Sequence, residues 1–206
     1  ATGTLENSGT ISMTGKASQS SITQYGIYVN GDADGSVVNS GTISLKGSTN
    51  DSVDQYGIYT GSSTGGTIAN TGTISINGTG GDDSVDQYGI YTSSLSAGAV
   101  VSNSGTITLT GEAVTDSASA YGIYTGSVDA STVENTGTIT IKQTSSEYSS
   151  VTAYGIYTST LSNNATVSNS GLIDIDASSY SSNSVYGIYV SGSVLSGSSV
   201  SNTGTI

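Results

Sequence analysis

Apolar and polar positions alternate by two along this chain, in short bursts separated by polar loops. In Asn7-Ser8-Gly9-Thr10-Ile11-Ser12-Met13 the odd positions carry Asn, Gly, Ile and Met, and every even position carries a hydroxyl. That alternation predicts a β-strand with one face turned inward. No apolar stripe at helical spacing is present, and Gly, Ser, Thr, Val, Ile and Tyr dominate, so helix is not expected.

The bursts recur at a fixed interval. Tyr-Gly-Ile-Tyr starts at Tyr25, Tyr56, Tyr88, Tyr121, Tyr154 and Tyr186, with gaps of 31, 32, 33, 33 and 32. Asn-[Ser/Thr]-Gly-[Thr/Leu]-Ile starts at Asn7, Asn39, Asn70, Asn103, Asn135, Asn169 and Asn202, at the same period. Ten residues, Asp51 to Thr60, even return unchanged as Asp83 to Thr92. A period of this size signifies a solenoid, a propeller or an array, and a propeller blade needs about 40 residues. The reading is therefore all-β: a parallel β-solenoid (β-helix) of about six coils, three short strands per coil, stacked at about 4.8 Å. The crossover rule predicts right-handed coils, left-handed β-helices being the alternative. Residues 1–206 form a single repeat domain and read as a segment of a longer repeat chain or of an end-to-end polymer.

Each coil starts with a short strand whose apolar residue precedes the Asn signature: Leu5, Val38, Ile68, Val101, Val133, Val167 and Val200. The Asn-x-Gly turn leads to a second strand, and a polar loop then leads to the Tyr-Gly-Ile-Tyr strand. The expected core rows are Ile11, Ile43, Ile74, Ile107, Ile139, Ile173 and Ile27, Ile58, Ile90, Ile123, Ile156, Ile188.

Two rows invite a role. Asn7, Asn39, Asn70, Asn103, Asn135, Asn169 and Asn202 predict a structural ladder of stacked amides closing the turn. In a continuous strand the two tyrosines of Tyr-Gly-Ile-Tyr point to opposite faces, because they are three apart. With Ile in the core, the row of Tyr25 packs inside. The row of Tyr28, Tyr59, Tyr91, Tyr124, Tyr157 and Tyr189 faces out as an aromatic strip for glycans, another protein or a neighbouring filament.

Composition narrows the function classes. The chain has 3 Lys or Arg against 15 Asp or Glu, a net charge of −12, and no His, Cys, Pro, Phe or Trp. The sign disfavours nucleic acid and anionic membrane surfaces. No apolar run approaches the roughly 20 residues of a membrane span, and no signal peptide opens the chain. The three cations are Lys16, Lys46 and Lys142, so there is no Arg for anionic groups and no imidazole base.

Acidic residues gather before Tyr-Gly-Ile-Tyr: Asp51, Asp54, Asp82, Asp83, Asp86, Glu112, Asp116 and Glu147. Calcium could bridge Asp51 with Asp83 and Asp54 with Asp86, although exposed carboxylates tolerate the repulsion without it. Asn30-Gly31-Asp32-Ala33-Asp34-Gly35 matches the first half of a calcium loop, but Gly41 stands where the twelfth-position acid belongs. An ordinary Asp-Gly turn is the better reading there, and no other cofactor is implied. Paired carboxylates can hydrolyse glycosides, yet these acids are expected in variable loops, and the repeat is hardly broken. A carbohydrate-active β-helix enzyme is thus the rival class. Thr10-x-Ser12, Thr42-x-Ser44, Thr73-x-Ser75, Thr106-x-Thr108 and Thr138-x-Thr140 suggest an ice-binding face, interrupted by Leu172 and Asp174 and shared with Lys46, Lys142 and Asp176.

The pairing of Asn-Ser-Gly-Thr-Ile with Ala-Tyr-Gly-Ile-Tyr (Ala120 to Tyr124, Ala153 to Tyr157) resembles passenger repeats of bacterial autotransporters and giant surface adhesins, over all six periods. The resemblance implies export to the cell surface and a right-handed β-helix working as stalk, adhesin or fibre. It carries over no catalytic residue. The expected function is a non-enzymatic extracellular structural or adhesive protein, contacting copies of itself, glycans or a cell surface.

Overall fold

In the computed structural model, which describes residues 3–146 and 149–206, the period appears as three parallel sheets wound into a β-solenoid. The first sheet holds seven strands, from Thr4–Asn7 through Ser36–Asn39 and Val100–Asn103 to Ser199–Asn202. The second holds six, from Thr10–Lys16 through Thr73–Gly80 to Leu172–Ser178. The third holds six longer strands, including Ile22–Asp32, Val53–Thr64, Val85–Ser96, Ala118–Asp129 and Ser150–Ser162. No helix occurs among the described residues. Each strand pairs with its equivalent one coil away, so like residues stack on like: Asn39 on Asn7, Ile43 on Ile11, Tyr88 on Tyr56.

The core is a narrow prism of aliphatic columns. Ile43, Ile74, Ile107 and Ile139 of the second sheet are fully buried against Ile58, Ile90, Ile123 and Ile156 of the third. Ile11 and Ile188, in the outermost coils, are half-buried and pack on the same cluster. The first sheet supplies Val37, Ile68, Val101, Val133 and Val167, all buried and in register, with Leu5 and Val200 exposed at the two ends of the same column. Val37, rather than the expected Val38, stands in that column. Side chains alternate by two from Asn39, so the residue two places before it points inward and Val38 turns out beside Glu6.

The corners explain the Asn-x-Gly signature. Ser40 and Gly41 both donate backbone N–H groups at 2.9 Å to the carbonyl of Asn7 in the coil below. A Cβ on Gly41 would stand 2.0 Å from the carbonyl oxygen of Gly9, so the turns stack too closely for any side chain. The corner from third to first sheet runs through left-handed residues. These are Gly65 (φ 68), Ala97 (φ 56), Ala130 (φ 49) and Asn163 (φ 53) among others.

Stacked amides also run through the interior. Gln55 donates to Gln24 Oε1 at 2.7 Å, and Gln87 donates to Gln55 Oε1 at 3.1 Å, all three buried. Glycines of the facing second sheet leave room for them: a Cβ on Gly78 would meet Gln55 Oε1 at 2.7 Å. In the next coils the arrangement inverts. Ala120 and Ala153 occupy the glutamine column, and Gln143 from the second sheet reaches Gln87 Oε1 at 2.8 Å, two coils away. The relay ends on Gln143 Oε1, which has no hydrogen-bond partner among the described residues.

Candidate functional site

The third sheet carries the most distinctive surface. Along Val53–Thr64, Val53 and Gln55 point inward while Asp54 and Tyr56 point outward. Gly57 and Ile58 are then buried in succession, and Tyr59 turns outward again. Strand pairing runs Tyr56 to Tyr88 and Ile58 to Ile90 and skips the glycine. A Cβ on Gly57 would lie 2.5 Å from the Gly89 carbonyl oxygen and 2.6 Å from Ile74 Cγ2. The strand therefore breaks its pleat at Gly57 and bends around the core. Both tyrosines end on the outside. The expectation that the Tyr25 row packs inside is corrected by this bend, because opposite faces at a separation of three presuppose a continuous strand.

The result is a double column. Tyr56, Tyr88 and Tyr121 stack at 4.8 Å with planes 2° apart. Tyr59, Tyr91, Tyr124 and Tyr157 stack at 4.8–4.9 Å with planes 3–4° apart. Between the columns, Tyr88 meets Tyr91 edge to face at 5.4 Å and 90°, the geometry that ring quadrupoles favour. Tyr28 and Tyr189 close the second column at its two ends. Ring faces are covered by the rungs above and below, so solvent meets edges and hydroxyls; Tyr157 Oη donates to Ser191 Oγ at 2.9 Å. Burial pushes the phenols of Tyr56, Tyr88 and Tyr121 well above their ordinary range, with neighbouring tyrosines and Asp54 or Asp86 adding to the shift.

Asp54 and Asp86 lie on this face, cross-strand neighbours two residues before Tyr56 and Tyr88. The expectation that the acids sit in variable loops is corrected for these two, because the strands begin at Val53 and Val85, upstream of the motif. Desolvation raises both carboxyl groups above the usual range; the charge of Asp86 adds to it at Asp54. At Asp86, hydrogen bonds from Ser119 and Ser84 offset part of the rise. Asp51 and Asp83 form a second pair, in the exposed loop. A hydrogen bond between their side chains holds Asp51 down and pushes Asp83 up.

The calcium candidates fall into separate places. Asn30 and Asp32 end the strand Ile22–Asp32, with Asp34 just beyond, whereas Asp54 pairs with Thr23 near that strand's start. Asp32 Oδ1 accepts from Ser62 Oγ. Among the described residues no group of three or more Asp, Glu, His or Cys converges as a metal site. Glu147 lies outside the described residues.

The Asn row is an internal ladder. Each amide donates to the next, from Asn7 to Asn39 at 2.8 Å and from Asn169 to Asn202 at 2.7 Å, and each Nδ2 from Asn39 to Asn169 also faces a turn carbonyl. Asn39, Asn70, Asn103 and Asn135 are fully buried, so the row closes the corner and presents nothing outward. On the second sheet, Thr10, Thr42, Thr73, Thr106 and Thr138 align in one column, which Leu172 ends.

Alternation alone gives neither the Gln24–Gln55–Gln87 relay nor the outward turn of the first tyrosine column. A signal for the relay does exist in the sequence: Gln24, Gln55 and Gln87 each stand immediately before the first tyrosine of the motif. Gly15, Gly47 and Gly78 of the second sheet lie opposite them.

A family model described as the BigA third pectate lyase-like domain matches residues 1–126, more than half of the chain. No curated protein and no solved structure matches it.

Proposed function

The chain belongs to the family of BigA third pectate lyase-like domains, and on that premise we propose that it is a non-enzymatic segment of a bacterial surface protein. It serves as a rigid spacer whose tyrosine–aspartate face makes the contacts. The observation that carries this reading is the double column of tyrosines, repeated on every coil, with Asp54 and Asp86 beside it on two adjacent rungs. A catalytic site is local and breaks a repeat; a contact surface gains from repetition, since each rung adds the same weak interaction. Edge-on phenols and carboxylates suit a partner rich in hydroxyl or cationic groups, such as a neutral glycan on a cell surface. Surface export by an autotransporter-like route is part of the same proposal.

One observation favours a second reading, a glycoside-hydrolysing β-helix. Asp54 and Asp86 sit on adjacent rungs with both carboxyl groups raised; retaining glycosidases hold two carboxyl groups about 5–5.5 Å apart, one of them kept protonated. A glycan array followed by a reducing-end assay on every hit separates the two. Binding without cleavage supports the contact role. Cleavage that disappears in Asp86→Asn would establish the enzyme instead.

A further inference from the structure

We propose that the double tyrosine column is a site of oxidative cross-linking, at which one-electron oxidants such as peroxyl radicals couple phenols on neighbouring coils into dityrosine. Three features of the face support it. First, every interior ring touches several others: Tyr88 has Tyr56 and Tyr121 at 4.8 Å, Tyr91 at 5.4 Å and Tyr124 at 5.8 Å. A radical formed on one phenol is therefore always in contact with another, and a second radical on the same column meets it without diffusion. Second, Asp54 and Asp86 lie on the same outward face, two residues before Tyr56 and Tyr88, and place carboxylates near the column. Third, the stacked partners within each column belong to different coils, 31 to 33 residues apart in sequence.

The chemistry balances as follows. Each of two phenols gives one electron to an equivalent of oxidant and its O–H proton to a carboxylate or water, leaving a phenoxyl radical. The radicals join through the ring carbons next to the oxygens, forming one C–C bond. The hydrogens on those carbons then shift as protons to the oxygens and restore both phenols. The net change is loss of two hydrogens per link. The parallel rings must turn about their side-chain torsions to bond, but the strands need not separate. Each link closes a loop of one coil and so constrains the unfolded chain, as a disulfide of that span does.

The test is photo-oxidation of the whole chain, at dilute concentration, with a ruthenium trisbipyridyl–persulfate mixture, followed by dityrosine fluorescence, intact mass and peptide mapping. The expected result is monomer lighter by two hydrogens per link, with links joining rung neighbours such as Tyr56–Tyr88 and Tyr59–Tyr91, and a raised Tm. Unfolding in urea should lower the yield of those pairs at least tenfold. Links found only between molecules, or equal yields in folded and unfolded chain, would overturn the proposal.

Discussion

Tyr56 and Tyr59 stand three residues apart on one strand, yet both face outward, their rings perpendicular at 90° with centroids 5.4 Å apart. Gly57 makes this possible by turning its missing side chain into the core, where Ile74 and the next coil's backbone fill the space. The double column, and with it the candidate contact face, depends on that glycine row.

Gly89→Ala tests the dependence. A methyl there would lie 2.5 Å from the Gly122 carbonyl oxygen and 2.6 Å from Ile107 Cγ2. Overpacking of this kind costs about 1–3 kcal/mol, and a backbone atom among the obstacles puts the expected loss at the upper end. Urea denaturation reads it as a lower midpoint; an unchanged midpoint would mean that the corner yields freely.

The amide ladder should be nearly as sensitive. Asn103 accepts from Asn70 and donates to Asn135, both at 2.7 Å, fully buried. Asn103→Ala leaves Asn135 Oδ1 without its donor and Asn70 without one acceptor. An orphaned buried polar group costs about 1–3 kcal/mol, so a total of about 3 kcal/mol is expected from the denaturation curve. Asn202→Ala, in the exposed last rung, should cost far less.

Much of this was legible in the residues, and each miss has its own physical cause. Period, sheet class, core isoleucines and the Asn ladder all follow from alternation and repetition, since a stack of equal coils must place like on like. Alternation fails where the backbone bends, and a bend at Gly57 looks in sequence like any strand glycine. That single bend reversed the facing of Tyr25, Tyr56 and their counterparts. Strand starts at Val53 and Val85 were equally hidden, because Asp-Ser-Val-Asp reads as loop until the neighbouring rung supplies its hydrogen bonds. The register of Val37 was legible and follows from counting by two from Asn39.

Ala130 holds φ at 49°, a left-handed conformation that costs a residue with a Cβ about 1–2 kcal/mol. Ala130→Gly relieves that strain while adding freedom to the unfolded chain, which returns part of it. The expected net gain is about 0.5 kcal/mol, seen as a higher midpoint. A loss would show that the methyl is held by packing at that corner.

Stability should rise on mild acidification. Asp54 and Asp86 have folded values raised by burial above the 3.8 of a free carboxyl. The folded state then binds more protons than the unfolded state between those values. Their contribution is fully present below about pH 3.8, and it is lost as pH rises through the folded values. Tm measured across that window should therefore increase as pH falls towards about 4, and the increase should shrink in Asp54→Asn/Asp86→Asn. A Tm that falls over the same range in the parent chain would contradict the burial of these groups.

The central claim is contact without turnover through the tyrosine–aspartate face, and binding to the best array glycan, measured by surface plasmon resonance, tests it most directly. Tyr59→Ser/Tyr91→Ser/Tyr124→Ser removes the middle of the outer column, and Ser44→Ala/Ser75→Ala/Thr108→Ala alters the second sheet's outer face as a control. The account predicts at least tenfold weaker binding for the first variant, parent-like binding for the second, and intact glycan recovered from both. Parent-like binding by the tyrosine variant, loss confined to the control, absence of any glycan ligand, or cleaved glycan would contradict it.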